Sequence, residues 1–489
     1  MLQLKDPSLL KTDSYVNGDY LRGHTRFQVD NPFNGEVVAT LSEATRDDTK
    51  GAIASADVAF TKWRHLAPNE RGAYLERWAA LIRDNRDDCS SVITHETGKP
   101  LEQATHELMG AIEFLEFYAQ EGLRLRGSTL PIHDPNRRLM TIKQPVGPVA
   151  VITPWNFPFV IPIQKCAPAL SAGCTVVLKP AEDTPLSSLL LAELARRAEL
   201  PPGIFNVVVC RDPEPIGIEF TSNPLIRKVT FTGSTEVGKV LFSASGKTVK
   251  NVCMELGGNC PAIIFNDADL DKAVESTFWF KFYNTGQCCN NINRLFVHDD
   301  VHDKYVAKFH AMIGKYLKMG SGMEPTVNIG PLINAQGIDK VDTLVTEAKH
   351  RGAATICGGK RAVKSGPLFY EPTLLTNATD RMNLYTEELF GPVLPCYRFT
   401  SDEEVIERAN NTRYGLAAYL YTSDMGRAFR TAEALEAGSV GINTHEVSTT
   451  FLPFGGWKES GVGRENTGNL DEYCEVKSVV FGNIGGLRP

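Results

Sequence analysis

The sequence predicts an α/β protein, and two observations carry the prediction. From Gly147 onward, short apolar segments such as VAVIT (149–153) and TVVLKP (175–180) alternate with helical segments such as SSLLLAELARRAEL (187–200). This alternation is typical of βαβ units, whose parallel sheet is covered by helices on both faces. The chain of 489 residues is also longer than one hydrophobic core usually supports, so we expect at least two large domains.

The other elements can be placed in order along the chain. Upstream of Gly147, apolar residues at three- and four-residue spacing predict three helices, over 52–63, 70–85 and 102–123. A second α/β set begins near Pro261, where Asp267 is the predicted N-cap of the next helix, and continues to Val440. The segments 124–147 and 475–482 are too small to form a core, and we expect them to pair with each other or with another subunit.

Composition excludes several classes of function. The formal net charge is −7 and the basic residues are scattered singly, so we expect neither nucleic acid nor an anionic membrane as a partner. The N-terminus lacks the pattern of a secretory signal, and the apolar runs are too short to cross a bilayer. Eleven cysteines without regular spacing argue against a disulfide framework or a metal site, and the expected location is cytoplasmic.

The segment NTGQCCNNINRLFV (284–297) carries the strongest chemical signal. Cys288 and Cys289 follow a glycine-containing turn after an aromatic-rich helix, and a cysteine on such a turn can face a cleft. Backbone N–H groups of the turn can stabilise a thiolate there. The alternative interpretation is that both cysteines are small buried hydrophobic residues.

Two further segments carry weaker signals. In MELGGNCPAIIF (254–265), Glu255 ends a predicted strand, and a carboxylate in an apolar setting can act as a general base or, alternatively, only form a cap or a salt bridge. In FTGSTEVG (231–238), a turn with Gly233 leads into a helix that begins at Ser234, a geometry that suits pyrophosphate. Because the G-x-G-x-x-G fingerprint is absent, a well-capped helix is the alternative there.

Four more motifs accompany these three: PWNFP (154–158), LKPAEDTP (178–185), EELFGPV (387–393) and PFGGWKESGVGRE (453–465). In their sequence and in their order along the chain, the seven motifs resemble those of the aldehyde dehydrogenase superfamily, and the resemblance extends from about residue 15 to residue 485. The resemblance implies NAD(P)-dependent oxidation of an aldehyde to its carboxylic acid. It also implies an aldehyde dehydrogenase-like fold with a parallel-sheet cofactor domain, an α/β catalytic domain and a small β oligomerisation element.

The resemblance implies boundaries for these parts as well. The NAD-binding domain would comprise residues 1–124 and 146–256, and the catalytic domain residues 257–458. Residues 125–145 and 474–489 would form the oligomerisation element, which predicts a homodimer or a homotetramer.

The catalytic roles also follow from the resemblance. Cys289 would attack the aldehyde carbon to form a thiohemiacetal, whose oxyanion is held by the side-chain amide of Asn156 and the backbone N–H of Cys289. Hydride transfer to the nicotinamide leaves a thioester, and Glu255 would activate the water that hydrolyses it. Lys165 and Glu465 resemble the family's proton-relay pair behind Glu255, with a structural ion pair as the alternative.

Seven residues correspond to the family's cofactor contacts: Trp155, Lys179, Glu182, Gly233, Ser234, Glu388 and Phe390. Lys179 and Glu182 would hold the adenosine ribose, Ser234 the pyrophosphate and Glu388 the nicotinamide ribose. A carboxylate at Glu182 accepts hydrogen bonds from a free 2′-hydroxyl but repels a 2′-phosphate, so NAD is the expected cofactor and NADP the alternative.

Within the superfamily, the chain most resembles the succinate-semialdehyde dehydrogenase group, which holds its substrate's carboxylate with two arginines and a serine. The serine is retained as Ser448, but Gln164 and Tyr283 stand at the two arginine positions. Without bidentate guanidinium contacts, succinic semialdehyde is expected to be a poor substrate.

The mouth of the pocket would instead be lined by aromatic side chains, unless these belong to the core: Phe157, Phe159, Tyr283 and Phe451. Such a lining favours an apolar, aromatic or hydroxylated aldehyde. A semialdehyde dehydrogenase acting on an anionic substrate is the first alternative. A catalytically silent family member with a structural or binding role is the second, and the presence of Cys289, Glu255 and Asn156 argues against it.

Overall fold

The computed structural model describes residues 2–482, so the last part of the predicted oligomerisation element, 483–489, lies outside the described residues. Its strands are β1 (Ser14–Val16), β2 (Asp19–Leu21), β3 (Arg26–Asp30), β4 (Val37–Ser42), β5 (Ser128–Leu130), β6 (Arg138–Pro145), β7 (Pro148–Ile152), β8 (Thr175–Lys179), β9 (Phe205–Val207), β10 (Lys228–Thr232), β11 (Asn251–Glu255), β12 (Cys260–Ile264), β13 (Ile292–His298), β14 (Ala354–Cys357), β15 (Thr373–Thr376), β16 (Val393–Phe399), β17 (Tyr414–Gly415), β18 (Ala417–Tyr421), β19 (Ser439–Ile442), β20 (Trp457–Lys458), β21 (Gly461–Val462) and β22 (Cys474–Phe481). Its α-helices are α1 (Arg46–Trp63), α2 (Pro68–Asp84), α3 (Arg86–Thr97), α4 (Leu101–Glu121), α5 (Val160–Ala172), α6 (Pro185–Arg197), α7 (Glu214–Ser222), α8 (Thr235–Ser245), α9 (Leu270–Phe282), α10 (Asp299–Tyr316), α11 (Ala335–His350), α12 (Asn383–Thr386), α13 (Asp402–Asn410) and α14 (Met425–Ala434).

The first large sheet has the strand order β2-β1-β9-β8-β7-β10-β11-β21, and its central strands from β9 to β11 run parallel. Alternate residues of β7 enter different cores: Val149 and Val151 pack with α2 to α6, whereas Ala150 and Ile152 pack with α1, α7 and α8. Because both faces are covered, the strands are continuously apolar, which is the pattern seen in the sequence.

This sheet reverses its strand order beside β7. The chain runs from β7 to β8 and β9 on one side, then returns to place β10 and β11 on the other side. In open parallel sheets, ligands bind outside the carboxyl ends of the strands at such a reversal. The loops after β7 and β10 are therefore the expected place for a ligand.

The second large sheet has the order β14-β15-β16-β13-β12-β18-β19 and is parallel except at its β14 edge. A separate three-stranded sheet, β22-β6-β5, pairs β22 with β6 over their whole length. Val476 and Val480 on β22 are 63% and 60% exposed. The two segments predicted to be exposed pairing elements thus pair with each other.

The α/β prediction is confirmed, and the differences are local. The helix predicted over 70–85 ends at Asp84, and it is followed by a further helix, α3, that was not predicted. The N-cap of α9 is Asp269, whose side chain accepts from the N–H of Lys272. Asp267 instead binds Thr422 and Arg427, so its prediction as the N-cap was wrong. Within residues 2–482, no helix is long and apolar enough to span a membrane.

Candidate active site

The predicted site residues gather at the carboxyl edge of the first sheet. Glu255 is the last residue of β11, Asn156 lies in the loop after β7, and Gly233 and Ser234 follow β10. Because these parallel strands are neighbours, residues far apart in the chain meet at one edge. The loop that carries Cys289 joins α9 to β13 and comes to this edge from the second sheet.

The loop before Cys289 has an unusual backbone. Asn284, Thr285 and Gly286 have φ angles of 47°, 57° and 78°, all in the left-handed region. Thr285 is held there by its hydroxyl, which donates to the carbonyl of Gly330 at 3.1 Å. A side chain at Gly286 would place its Cβ 2.2 Å from the carbonyl oxygen of Gly391. Strain of this kind is retained where the surrounding structure determines the loop, as at functional sites.

The same loop is joined to Asn156. The Asn156 side-chain amide donates to the carbonyl of Gln287 at 3.0 Å, and the Asn284 amide donates to the carbonyl of Asn156 at 3.0 Å. Cys289 is half-buried, whereas Cys288 is fully buried and its pKa is raised by that burial to about 12. Of the two cysteines, Cys289 is therefore the less buried and the better candidate to meet a ligand.

Two groups with raised pKa values lie near each other in this site. Burial, followed by the nearby negative charge of Glu255, raises the pKa of Cys289 well above its usual value. Burial, followed by the charge of Glu465, raises the pKa of Glu255 well above the usual carboxyl range. Among the described residues, Glu255 Oε1 and Asn156 Oδ1 are buried without a hydrogen-bond partner. A carboxyl of this kind is suited to accept a proton near neutral pH.

Behind Glu255, Lys165 and Glu465 form a buried ion pair in close contact. Lys165 Nζ also lies 3.2 Å from the hydroxyl of Thr230 on β10. The structure therefore brings together the residues that the resemblance implies as a relay.

The residues predicted to hold the adenosine and pyrophosphate lie along the same edge. Lys179 Nζ is 3.2 Å from Glu182 Oε2, at the end of β8. Ser234 is the N-cap of α8, and its hydroxyl accepts from the N–H of Val237 at 3.3 Å. The exposed N-terminus of this eleven-residue helix presents the positive end of the helix dipole, which suits a pyrophosphate.

The residues predicted to hold the nicotinamide end lie nearer Cys289. Glu388 Oε1 accepts from the N–H of Gly258 at 2.9 Å, and burial raises the pKa of Glu388 to about 7. A Cβ at Gly257 would lie 3.0 Å from Glu388 Oε2. The rings of Trp155 and Phe390 meet edge to face, 5.5 Å apart. A carboxylate beside two aromatic rings has the chemistry that suits the ribose and ring of a nicotinamide nucleotide.

The predicted pocket residues divide into two groups. The rings of Phe157 and Tyr283 are stacked with centroids 6.0 Å apart, and Phe451, 65% exposed, meets Phe117 of α4 at 5.8 Å. Phe159, in contrast, has no exposed surface and packs in the core of the first sheet. Its prediction as a pocket residue was wrong, because the start of α5 turns this side chain inward.

The polar residues of the pocket have defined partners. Gln164 Nε2 donates to Asn466 Oδ1 at 2.8 Å, and the Tyr283 hydroxyl lies 3.2 Å from Nδ1 of His106. Ser448 is exposed beside the segment that Asn466 contacts through Thr449. His106 and Asn466 were not predicted as site residues, since they lie outside every motif and only the fold brings them beside Tyr283 and Gln164.

A profile of the Aldehyde dehydrogenase family matches residues 20–479. The chain belongs to this family. The fold prediction is thereby confirmed, and the protein is an oxidoreductase of the aldehyde dehydrogenase type.

Similar aldehyde dehydrogenases extend over the whole chain. Succinate-semialdehyde dehydrogenase [NADP(+)] GabD of Escherichia coli (strain K12) is 44% identical over 98% of this chain and 100% of its own length. Glutarate-semialdehyde dehydrogenase of Pseudomonas aeruginosa is 45% identical over 99% of this chain and 100% of its own. The crystal structure of succinate-semialdehyde dehydrogenase from Burkholderia pseudomallei has a TM-score of 0.97 at 46% identity, covering 98% of this chain and 100% of that chain.

Proposed function

We propose that this aldehyde dehydrogenase oxidises a short semialdehyde, with Cys289 as nucleophile and Glu255 as general base. The observation that carries the proposal is that Cys289, which is only partly buried, lies near a buried carboxyl, that of Glu255, whose pKa is raised. Cys289, as the thiolate that has lost its proton to solvent, attacks the aldehyde carbon, and the Asn156 amide donates to the oxyanion that develops. Loss of hydride from the same carbon to the acceptor would leave the thioester. Glu255 then takes a proton from the water that hydrolyses the thioester. NAD(P), when bound, supplies the hydride acceptor, held by Lys179, Ser234, Glu388 and neighbouring residues.

The proposed substrate, a short semialdehyde, differs from the apolar aldehyde that the sequence predicts first. The relatives are named for succinate and glutarate semialdehydes, both of which carry a carboxylate remote from the aldehyde. They favour the anionic alternative. At the rim of the pocket, the Tyr283 hydroxyl, the imidazole of His106 and the exposed Ser448 supply hydrogen-bond donors where guanidinium groups are absent.

A panel of matched aldehydes tests the substrate. We expect kcat/KM for succinic and glutaric semialdehydes to exceed that for butanal and pentanal by about tenfold or more. One hydrogen bond to the charged carboxylate supplies enough binding free energy for a difference of this size. Tyr283→Phe should reduce the rate with the semialdehydes and leave the rate with the alkanals unchanged. Tyr316→Phe, on a half-exposed ring that packs at a tilt against Trp279 with centroids 5.9 Å apart, is the matched control.

The opposite ranking would identify a second candidate function. If butanal, pentanal or benzaldehyde were the better substrates, the stacked rings of Phe157 and Tyr283 would be the specificity element, and the substrate would be apolar or aromatic. The Tyr283→Phe variant would then change neither class of substrate strongly, because the ring itself is kept.

NAD is the proposed cofactor, and Glu182 is the residue that supports it. Its carboxylate lies beside Lys179, where a ribose 2′-hydroxyl is expected and a 2′-phosphate would meet like charge. The Escherichia coli relative is named for NADP(+), so under this proposal the two proteins differ in cofactor preference.

Glu182→Gln should therefore shift cofactor choice. We expect the ratio of kcat/KM with NADP to that with NAD to rise about tenfold, a modest change because the Glu182 side chain is 36% exposed and solvent screens it. Initial rates with each cofactor at saturating aldehyde measure the ratio. A wild-type preference for NADP, unchanged in the variant, would contradict the proposal.

We also propose that the protein is a homo-oligomer located in the cytoplasm. The exposed strand β22, with Val476 and Val480 outward, offers an edge for a second copy of the chain, which supports a homo-oligomer. All eleven cysteines are free, which supports a reducing compartment such as the cytoplasm.

A further inference from the structure

A second buried ion pair lies beside the site, and no motif of the sequence includes it. Lys99 Nζ is 2.6 Å from Glu107 Oε2, and the two side chains are 1% and 0% exposed. Removing two charges from water is costly, and an apolar pair of similar volume often stabilises a fold equally well. The contacts of Lys99 and Glu107 therefore indicate a role other than stabilising the fold.

Every further hydrogen bond of these two side chains ends on the segment that carries Asn156. Lys99 Nζ donates to the carbonyl of Asn156 at 2.7 Å and lies 4.3 Å above the ring of Phe157. Glu107 Oε1 accepts from the N–H of Phe159 at 2.8 Å and from that of Val160 at 3.2 Å. The pair therefore holds this segment on both sides of its turn into α5.

Helix α4 supports the cysteine loop in the same way. One turn before Glu107, on the same helix face, Gln103 Oε1 accepts from the N–H of Asn284 at 2.9 Å. Asn284 in turn donates to the carbonyl of Asn156 at 3.0 Å. A single rigid helix thus sets the distance between the loop of the oxyanion donor and the loop of the nucleophile.

We propose that Lys99 and Glu107 are positioning residues that aim the Asn156 amide at the oxyanion formed on Cys289. This inference rests on the proposed function, in which Asn156 is the oxyanion donor. An oxyanion donor acts only if its N–H lies within a few tenths of an ångström of the developing charge, so its backbone must be held firmly. Displacement by about 1 Å costs about 100-fold in rate.

The test uses the double variant Lys99→Met/Glu107→Gln, which removes both charges together and keeps the acceptor for the two N–H groups. An unpaired buried charge, which would destabilise the fold, is thereby avoided. We expect the rate of Cys289 acylation by 4-nitrophenyl acetate and kcat/KM for aldehyde to fall about 100-fold. Alkylation of Cys289 by iodoacetamide should keep its wild-type rate, because that reaction forms no oxyanion.

A matched control is available at the opposite end of the sheet. Lys228 begins β10, is fully buried, and pairs with Glu472 at 3.2 Å. Lys228→Met/Glu472→Gln makes the same substitutions far from Asn156 and should leave acylation unchanged. Lys99→Arg, which keeps the charge and the donors, should lose less than the double variant and show the same separation of acylation from alkylation. It serves as the test if the double variant does not fold.

Combination with Asn156→Ala distinguishes this inference from the function on which it rests. If the pair acts through Asn156, the triple variant should acylate no more slowly than Asn156→Ala alone. If Asn156→Ala acylates slowly but Lys99→Met/Glu107→Gln acylates at the wild-type rate, only the positioning role is overturned. Asn156→Ala at the wild-type rate would overturn the oxyanion role and the positioning role together. Equal loss of acylation and alkylation in the double variant would show a merely structural pair.

Discussion

Cys289→Ala is expected to abolish aldehyde-dependent reduction of NAD, with a loss of at least about 10⁴-fold, because no other group can form the thioester. Cofactor binding should persist, since Lys179, Ser234 and Glu388 lie outside the altered loop and the substitution removes only a half-buried thiol. Quenching of intrinsic fluorescence by NAD measures binding, and absorbance at the NADH band measures turnover.

The neighbouring cysteine provides the control for this result. Cys288→Ala removes the same group one residue away, from a fully buried position that a substrate does not reach. We expect Cys288→Ala to keep most of the wild-type turnover, because it creates only a small packing defect. If Cys289→Ala kept its activity and Cys288→Ala lost it, the nucleophile would be Cys288, and the assignment to Cys289 would be wrong.

Glu255→Gln should separate the two halves of the reaction. The amide cannot take a proton from water, so hydrolysis of the thioester should slow by about 100-fold to 10,000-fold. One equivalent of NADH should form in a burst, followed by a slow steady state, and the acyl group should be found on Cys289 by mass spectrometry. A steady state as fast as the wild type would show that another group activates the water.

The pH dependence gives the same residue a second, independent test. Because the pKa of Glu255 is raised, the wild-type steady-state rate should rise with pH and level off only above the usual carboxyl range, where Glu255 is ionised. That inflection should be absent from Glu255→Gln.

The thiol should respond in the opposite direction. Loss of the negative charge beside Cys289 should lower the pKa of its thiol, so alkylation by iodoacetamide should begin at a lower pH than in the wild type. An unchanged alkylation profile would mean that the carboxylate does not act on the thiol.

Some of the fold was accessible from sequence because its causes are local. The continuous apolar strands around Val149 and Val176 can be buried only between two layers of helices, and Ser234 can cap α8 through its own backbone neighbours. The order of the motifs around Cys289 and Glu255 was sufficient to identify the chemistry. The end of α2 was predicted to within one residue, but α3 was missed, because its buried residues include polar ones such as Ser90, Ser91 and Glu96, which interrupt the apolar periodicity.

The sequence by itself determined the α/β class and the family, and it predicts Cys289 as the nucleophile and Glu255 as the base. The tertiary structure alone decided that Phe159 lies in the core, that Tyr283 meets His106, and that Lys99 and Glu107 hold the loop of Asn156. The physical reason is the same in each case. A residue's chemical type is written in the chain, but a contact between residues 57 or 177 positions apart arises only when sheets and helices pack, and burial then determines the charge state and orientation of each group.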